Sequence, residues 1–240
     1  MRFLFPTSPQ EAGKGRLIGF YSPLPGAGAS SLACAAALFL GKETALVDFN
    51  PASKVRAYMG ITSADYPASV LDVAGVRSPD DVLRAGVSHP RGPFVVPGVV
   101  RPLDAAQVTS RLVSRAVSLL KKKFPVTVCV LDALWRTGWV AALACDVLFV
   151  VLKSDRPDLD AYAETADFLS RLGCAERTKF ILNQAGARGG LNDGEVKALL
   201  KPDAVIPYDP AFRAACNKRQ PDAGRLRKIL TDFFEDVLRG

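Results

Sequence analysis

Long apolar runs are missing from this chain. None approaches the ~20 residues of a membrane span, so no spanning helix is expected and membrane contact would be peripheral only. Histidine is nearly absent: His89 stands alone beside Pro90, where a surface loop residue is expected rather than a catalytic base. No Ser/His/Asp or Cys/His arrangement presents itself, which removes the usual constellations of nucleophilic catalysis. The five cysteines (Cys34, Cys129, Cys145, Cys174 and Cys216) are scattered singly, with no C-x-x-C and no Cys/His cluster. Neither a zinc site nor a disulfide framework is indicated, and buried reduced thiols are expected. The opening MRFLFPTSPQEAGKG is too short and too broken by proline for a signal peptide. The expected location is the cytoplasm.

What is present is an ordinary globular composition. The 240 residues are 49% apolar and 23% charged, enough to bury a sizeable core. A single domain over 1–240 is expected, with 1–15 as a short N-terminal extension. Net charge is +7, which favours an anionic partner. The charge is dispersed, however. Its one dense run, Lys121-Lys122-Lys123, falls at the end of an expected helix, where lysines complement the helix dipole. A dedicated nucleic-acid patch is therefore not indicated.

Short apolar runs alternate with helical patterns. Strands are expected over 17–21, 44–49, 94–97, 126–131, 147–152, 179–183 and 204–206. Helices are expected over 30–40, 105–122, 139–144, 159–172, 193–200, 211–218 and 225–238, with 51–101 holding short helices and loops. Strands apolar on successive residues are those covered on both faces. The alternation predicts an α/β fold: a doubly wound, mostly parallel sheet of about seven strands with helices on both faces.

Residues 17–31, LIGFYSPLPGAGASS, carry the strongest local signal. An apolar strand runs into a glycine-rich turn and a small-residue helix, a geometry that points backbone N–H groups at a phosphate. The usual loop, G-x-x-x-x-G-K-[ST], places a lysine after its second glycine. Here Ala29 follows Gly28, and Pro23 takes the first glycine position. In a doubly wound sheet, ligands bind at the carboxyl ends of the strands. Those ends carry Asp48, Asp132, Asn183, and the run Pro207-Tyr208-Asp209-Pro210. Plainer roles stand beside these. Gly26 and Gly28 also suit a tight turn with positive φ. Ser30 and Ser31 suit helix N-caps. Asn183 suits a loop contact, and Pro207–Pro210 a rigid turn.

In order along the chain, these pieces resemble the MinD/ParA family of deviant phosphate-loop ATPases. The family's G-K-G-G-V-G-K-T-T stands where this chain has PLPGAGASS at 23–31, and its V-D-x-D-P where Val47-Asp48-Phe49-Asn50-Pro51 lies. Its aspartate after an apolar strand matches Asp132. A stretch A-D-x-v-l-v-V corresponds to Ala144 through Val150, the adenine-contacting asparagine to Asn183, and I-P-y-D-p to Ile206 through Pro210. The Gly-Ala-Ser ending resembles the CpaE/TadZ branch, linked to assembly and polar placement of Flp/Tad-type pili.

The resemblance implies a P-loop NTPase fold. It implies ATP or ADP held by Gly26, Ala27, Gly28, Ala29, Ser30, Ser31, Asn183, Pro207 and Asp209, with Mg²⁺ on Ser30, Asp48 and Asp132. Asp48 and Asp132 are the only candidates for a catalytic role. It further implies a homodimer and protein partners of a secretion or pilus assembly. Three departures bear on the chemistry. Leu24 replaces the signature lysine, Ala29 the lysine of the terminal phosphates, and Asn50 the second aspartate of the D-x-D pair. Phosphoryl transfer rests on positioned charge around the terminal phosphate. A localisation or assembly factor that binds nucleotide weakly or not at all, with hydrolysis lost, is the leading expectation. A working ATPase switch remains the first alternative, its charge supplied by Arg16, Lys153, Arg156 or a partner. A DNA- or membrane-associated positioning protein is the second. The C-terminal pattern, with Leu226, Ile229, Leu230, Phe233, Phe234, Val237 and Leu238 on one face, is expected to be a core helix, because its polar face is mixed in sign rather than basic.

Overall fold

The computed structural model describes residues 15–51, 54–221 and 226–239. The expected extension 1–15 lies outside them apart from Gly15. Eight strands form one sheet: β1 (Arg16–Tyr21), β2 (Thr44–Asp48), β3 (Val87–Ser88), β4 (Phe94–Val96), β5 (Val126–Val130), β6 (Val147–Lys153), β7 (Thr178–Ala185) and β8 (Ala204–Pro207). Their order is β3-β4-β2-β5-β1-β6-β7-β8, and every pairing is parallel except β3 with β4. Seven strands match the apolar runs. The eighth, β3, is a two-residue antiparallel edge, too short to leave a periodic signal.

Alternate residues of the central strands face opposite layers. Leu17 and Tyr21 of β1 enter one cluster with Ala45, Val47, Cys129, Leu131, Leu148 and Val150. Ile18 and Phe20 enter the other with Leu46, Val128, Val130, Phe149 and Val151. The first layer is closed by α3 (Ser110–Lys123), α4 (Trp139–Ala144) and α5 (Arg156–Arg171), through Leu112, Ala116, Leu120, Ala141 and Leu159. The second is closed by α1 (Ala29–Leu40), whose Ala33, Cys34, Ala35, Ala36 and Ala37 are fully buried. Five consecutive small residues buried all round the helix show that α1 is covered on more than its sheet side. Leu226 and Leu230 of α8 (Leu226–Arg239) join that same cluster, and the Arg227 guanidinium sits 5.7 Å from the Phe39 ring centroid. The first turns of the C-terminal helix are thus core, as expected. The side chains of Phe233, Phe234, Val237 and Leu238 lie outside the described residues.

One expected helix is divided. Over 105–122 the chain forms a 3₁₀ segment, Pro102–Gln107, and then α3, whose start is set by Thr109 accepting the Leu112 N–H at 3.2 Å. A threonine N-cap inside an apolar pattern ends one segment and begins the next. The remaining helices are α2 (Val55–Tyr58), α6 (Asp193–Leu199) and α7 (Pro210–Asn217). Among the described residues no helix is long and apolar enough to cross a membrane.

Candidate functional site

All parallel strands end at one rim, and there the expected residues meet. β1 leads into the glycine-rich loop. Gly26 and Gly28 have φ of 91° and 106°, the left-handed region that glycine enters without strain. Three successive loop carbonyls are engaged: that of Gly26 accepts the Gln184 side-chain amide at 3.0 Å, that of Ala27 the Asn183 Nδ2 at 2.7 Å, and that of Gly28 the Ser31 hydroxyl at 2.9 Å. In a trans peptide the following N–H points opposite to the carbonyl, and the described chain has no cis bond. The N–H groups of Ala27, Gly28 and Ala29 therefore point away from these partners, a nest suited to an anion. The tether leaves Gly28 no room, since a Cβ there would stand 2.3 Å from Asn183 Nδ2.

Ser30 and Ser31 do not cap α1. The N-cap is Gly28, with no side-chain cap bond, and both serines are already helical. The helix starts one residue earlier than 30 because the glycine turns the chain directly into it. Leu24 is half-buried, Ala29 is the buried first residue of α1, and Asn50 follows β2 with its N–H donated to Asp48 Oδ1 at 3.1 Å. No ionisable group stands at any of these three positions.

Asp48 ends β2 and is level with Val130 of β5, two residues before Asp132. It is buried, and a Cβ on Gly98 would come within 2.8 Å of its Oδ2, so the glycine permits this packing. Nearby, Arg56 donates to the carbonyls of Gly98, Tyr66 and Ala68. Burial lowers the Arg56 pKa from its ordinary value, and the fields of Asp48 and Asp72 oppose that fall.

Asp132, buried beyond β5, accepts a hydrogen bond from the Thr137 hydroxyl at 3.1 Å and forms an ion pair with Arg136 Nε at 3.4 Å, both at Oδ2. A single π turn, Leu134–Gly138, produces this contact. It folds so tightly onto the strand end that a Cβ on Gly138 would stand 2.1 Å from the Asp132 carbonyl oxygen. Arg136 also donates to the Ala105 carbonyl at 3.2 Å. Tyr21 lies beside it: burial raises the phenol's pKa, a backbone hydrogen bond at Leu134 opposes this, and Asp132 adds to the rise. Sequence reasoning missed Arg136; its spacing of four from Asp132 was the available signal.

On the far side of the rim, Asn183 is level with Lys153 and buried under the loop. Pro207 ends β8, and Asp209 caps α7 by accepting the Ala211 N–H at 2.8 Å. The basic residues expected to replace the missing charge are placed less favourably. Arg16 begins β1, at the end opposite the loop. Lys153 pairs with Asp155 at 2.7 Å and Asp158 at 3.6 Å, and Arg156 with Asp160 at 2.8 Å. His89, expected on a surface loop, is half-buried with Nε2 3.1 Å from the Met59 carbonyl oxygen.

The fold recurs in solved structures. A ParA family ATPase from Chlorobium tepidum superposes with a TM-score of 0.79 at 16% identity, over 91% of this chain and 98% of the other. The fold is that of the ParA/MinD ATPases. The septum site-determining protein MinD of Pyrococcus horikoshii, complexed with Mg-ADP, gives 0.71 at 20% identity, over 86% and 87%. A chain of a MinC:MinD cell division protein complex from Aquifex aeolicus gives 0.68 at 19%, over 86% and 87%. No family model matches the sequence, and no curated protein matches it. The ParA/MinD likeness thus lives in the backbone and in the placement of strand ends.

Proposed function

We propose that this chain is a MinD/ParA-like localisation or assembly factor. Its phosphate loop holds adenine nucleotide weakly or not at all, and hydrolysis is lost. The observation that carries this is the survival of the loop's frame without its charges: the tethered nest at Gly26 to Ala29 keeps its shape, while Leu24, Ala29 and Asn50 are uncharged. Backbone N–H groups suffice to cradle a phosphate, but the transition state of phosphoryl transfer needs positioned cations. Ala27 to Ser31 would contact phosphate and Pro207 and Asp209 would border the base, while Asn183, the expected base contact, is engaged in holding the loop from beneath.

The MinC:MinD complex supports a protein partner, and the motif resemblance to the MinD/ParA family supports a homodimer. The Gly-Ala-Ser loop supports the finer reading of a CpaE/TadZ-like factor of a Flp/Tad-type pilus, working in the cytoplasm or peripherally at the inner membrane or cell pole. Calorimetry with ATP, with and without Mg²⁺, and a phosphate-release assay test the proposal. Weak or absent binding and no release above background are expected. Turnover at ordinary ParA-type rates overturns it and favours the working switch.

A further inference from the structure

The ParA/MinD fold implies Mg²⁺ beside the strand-end carboxylates, yet Asp132 does not fit that ion. Mg²⁺ needs near-octahedral oxygen coordination at ~2.1 Å and usually takes one or two carboxylates plus phosphate oxygens. The Oδ2 of Asp132 already accepts the Thr137 hydroxyl at 3.1 Å and faces Arg136 Nε at 3.4 Å. The guanidinium is not a passing surface contact. Its other arm is held by the Ala105 carbonyl at 3.2 Å, and its backbone is fixed by the π turn, where the N–H groups of Arg136 and Gly138 both donate to the Ala133 carbonyl, at 2.9 and 3.1 Å. A dication against the same carboxylate would meet this fixed positive charge at short range, inside a partly desolvated pocket where repulsion is poorly screened.

We infer that Arg136 is the resident cation of Asp132 and occupies the role a divalent metal would fill there. Asp132 is then an anchor for the turn rather than a metal-binding group. Arg136 is a positioning residue that neutralises the carboxylate and ties the 3₁₀ segment Pro102–Gln107 to the rim. The inference rests on this rim being the functional site. Its readout needs no nucleotide and no turnover, so it fails or stands apart from the proposal above.

The test uses the full chain and Mn²⁺ alone, followed by electron paramagnetic resonance, with circular dichroism as a check of folding. Wild-type protein is expected to bind Mn²⁺ no tighter than millimolar. Arg136→Gln, which removes the charge, is expected to bind at least tenfold tighter, and Arg136→Lys to behave as wild type. Asp132→Asn, with Arg136 intact, is expected to leave Mn²⁺ binding unchanged. Sub-100 µM binding by wild type that Asp132→Asn weakens tenfold overturns the inference. So does a folded Arg136→Gln variant that binds no better than wild type. Should Arg136→Gln fail to fold, the wild-type and Asp132→Asn measurements decide alone.

Discussion

Asn183 and Ala27, 156 positions apart, are joined by a 2.7 Å hydrogen bond from the Asn183 amide to the Ala27 carbonyl. The sheet thereby holds the phosphate loop from beneath. Removing the donor leaves a buried carbonyl without that partner, a loss of about 1–3 kcal/mol. Asn183→Ala should lower stability by that amount in urea denaturation, whether or not nucleotide is present.

Gly28 and Asn183 are coupled through space. Gly28→Ala adds a methyl group 2.3 Å from Asn183 Nδ2 at a φ of +106°, and the backbone strain alone is worth about 1–3 kcal/mol. In a double-mutant cycle, Gly28→Ala combined with Asn183→Ala should cost less than the two losses added, because the second change removes the clash. Strict additivity would contradict the geometry.

Restoring charge should restore affinity. Ala29→Lys returns a cation to the loop's helix end, and a hydrogen bond to a charged group contributes about 1.5–3 kcal/mol. ATP should bind roughly tenfold to a hundredfold tighter in calorimetry.

His89 offers a pH signature that one resonance can report, since no other histidine is present. Burial lowers its pKa below the ordinary 6.5; the Met59 carbonyl contact opposes this, and Arg91 adds to the lowering. A depressed histidine favours folding while neutral. Its contribution is fully present above about pH 6.5 and is lost as pH falls through the lowered folded value. His89→Gln should flatten that part of the stability profile, and NMR should find the ring titrating below 6.5.

Gly138→Ala tests the π turn. The added methyl would meet the backbone oxygens of Asp132 and Ala133 at 2.1 and 2.9 Å, and neither can swing aside. A stability loss of about 1–3 kcal/mol is expected from such overpacking, measured by thermal melting.

Much of this was legible in the chain. Apolar runs such as 126–131 and 147–152 mark strands buried on both faces, and the polar residue ending each run marks the rim, so Asp48, Asp132 and Asn183 fall where a reader of the pattern puts them. What stayed hidden depends on contacts distant in sequence or on turn geometry without a period. β3 is only two residues and exists through its pairing with β4. The break between Gln107 and α3 is made by one threonine hydroxyl inside an apolar pattern. Arg136 reads as one more solvated arginine until the turn around Gly138 brings it onto Asp132. Gln184, with φ of 59°, turns back toward Gly26 in a conformation no propensity suggests.

The lid that α8 places on α1 makes two fates of the C-terminal helix mutually exclusive. Leu226 and Leu230 share the buried cluster of the α1 alanines. A lipid bilayer or a partner groove recruiting those same leucines would have to strip them from the domain and bare the alanine stripe to water. Any such recruitment would be read out as loosening of the very helix whose first turn frames the phosphate loop, so tail capture and loop order would rise and fall in opposite directions.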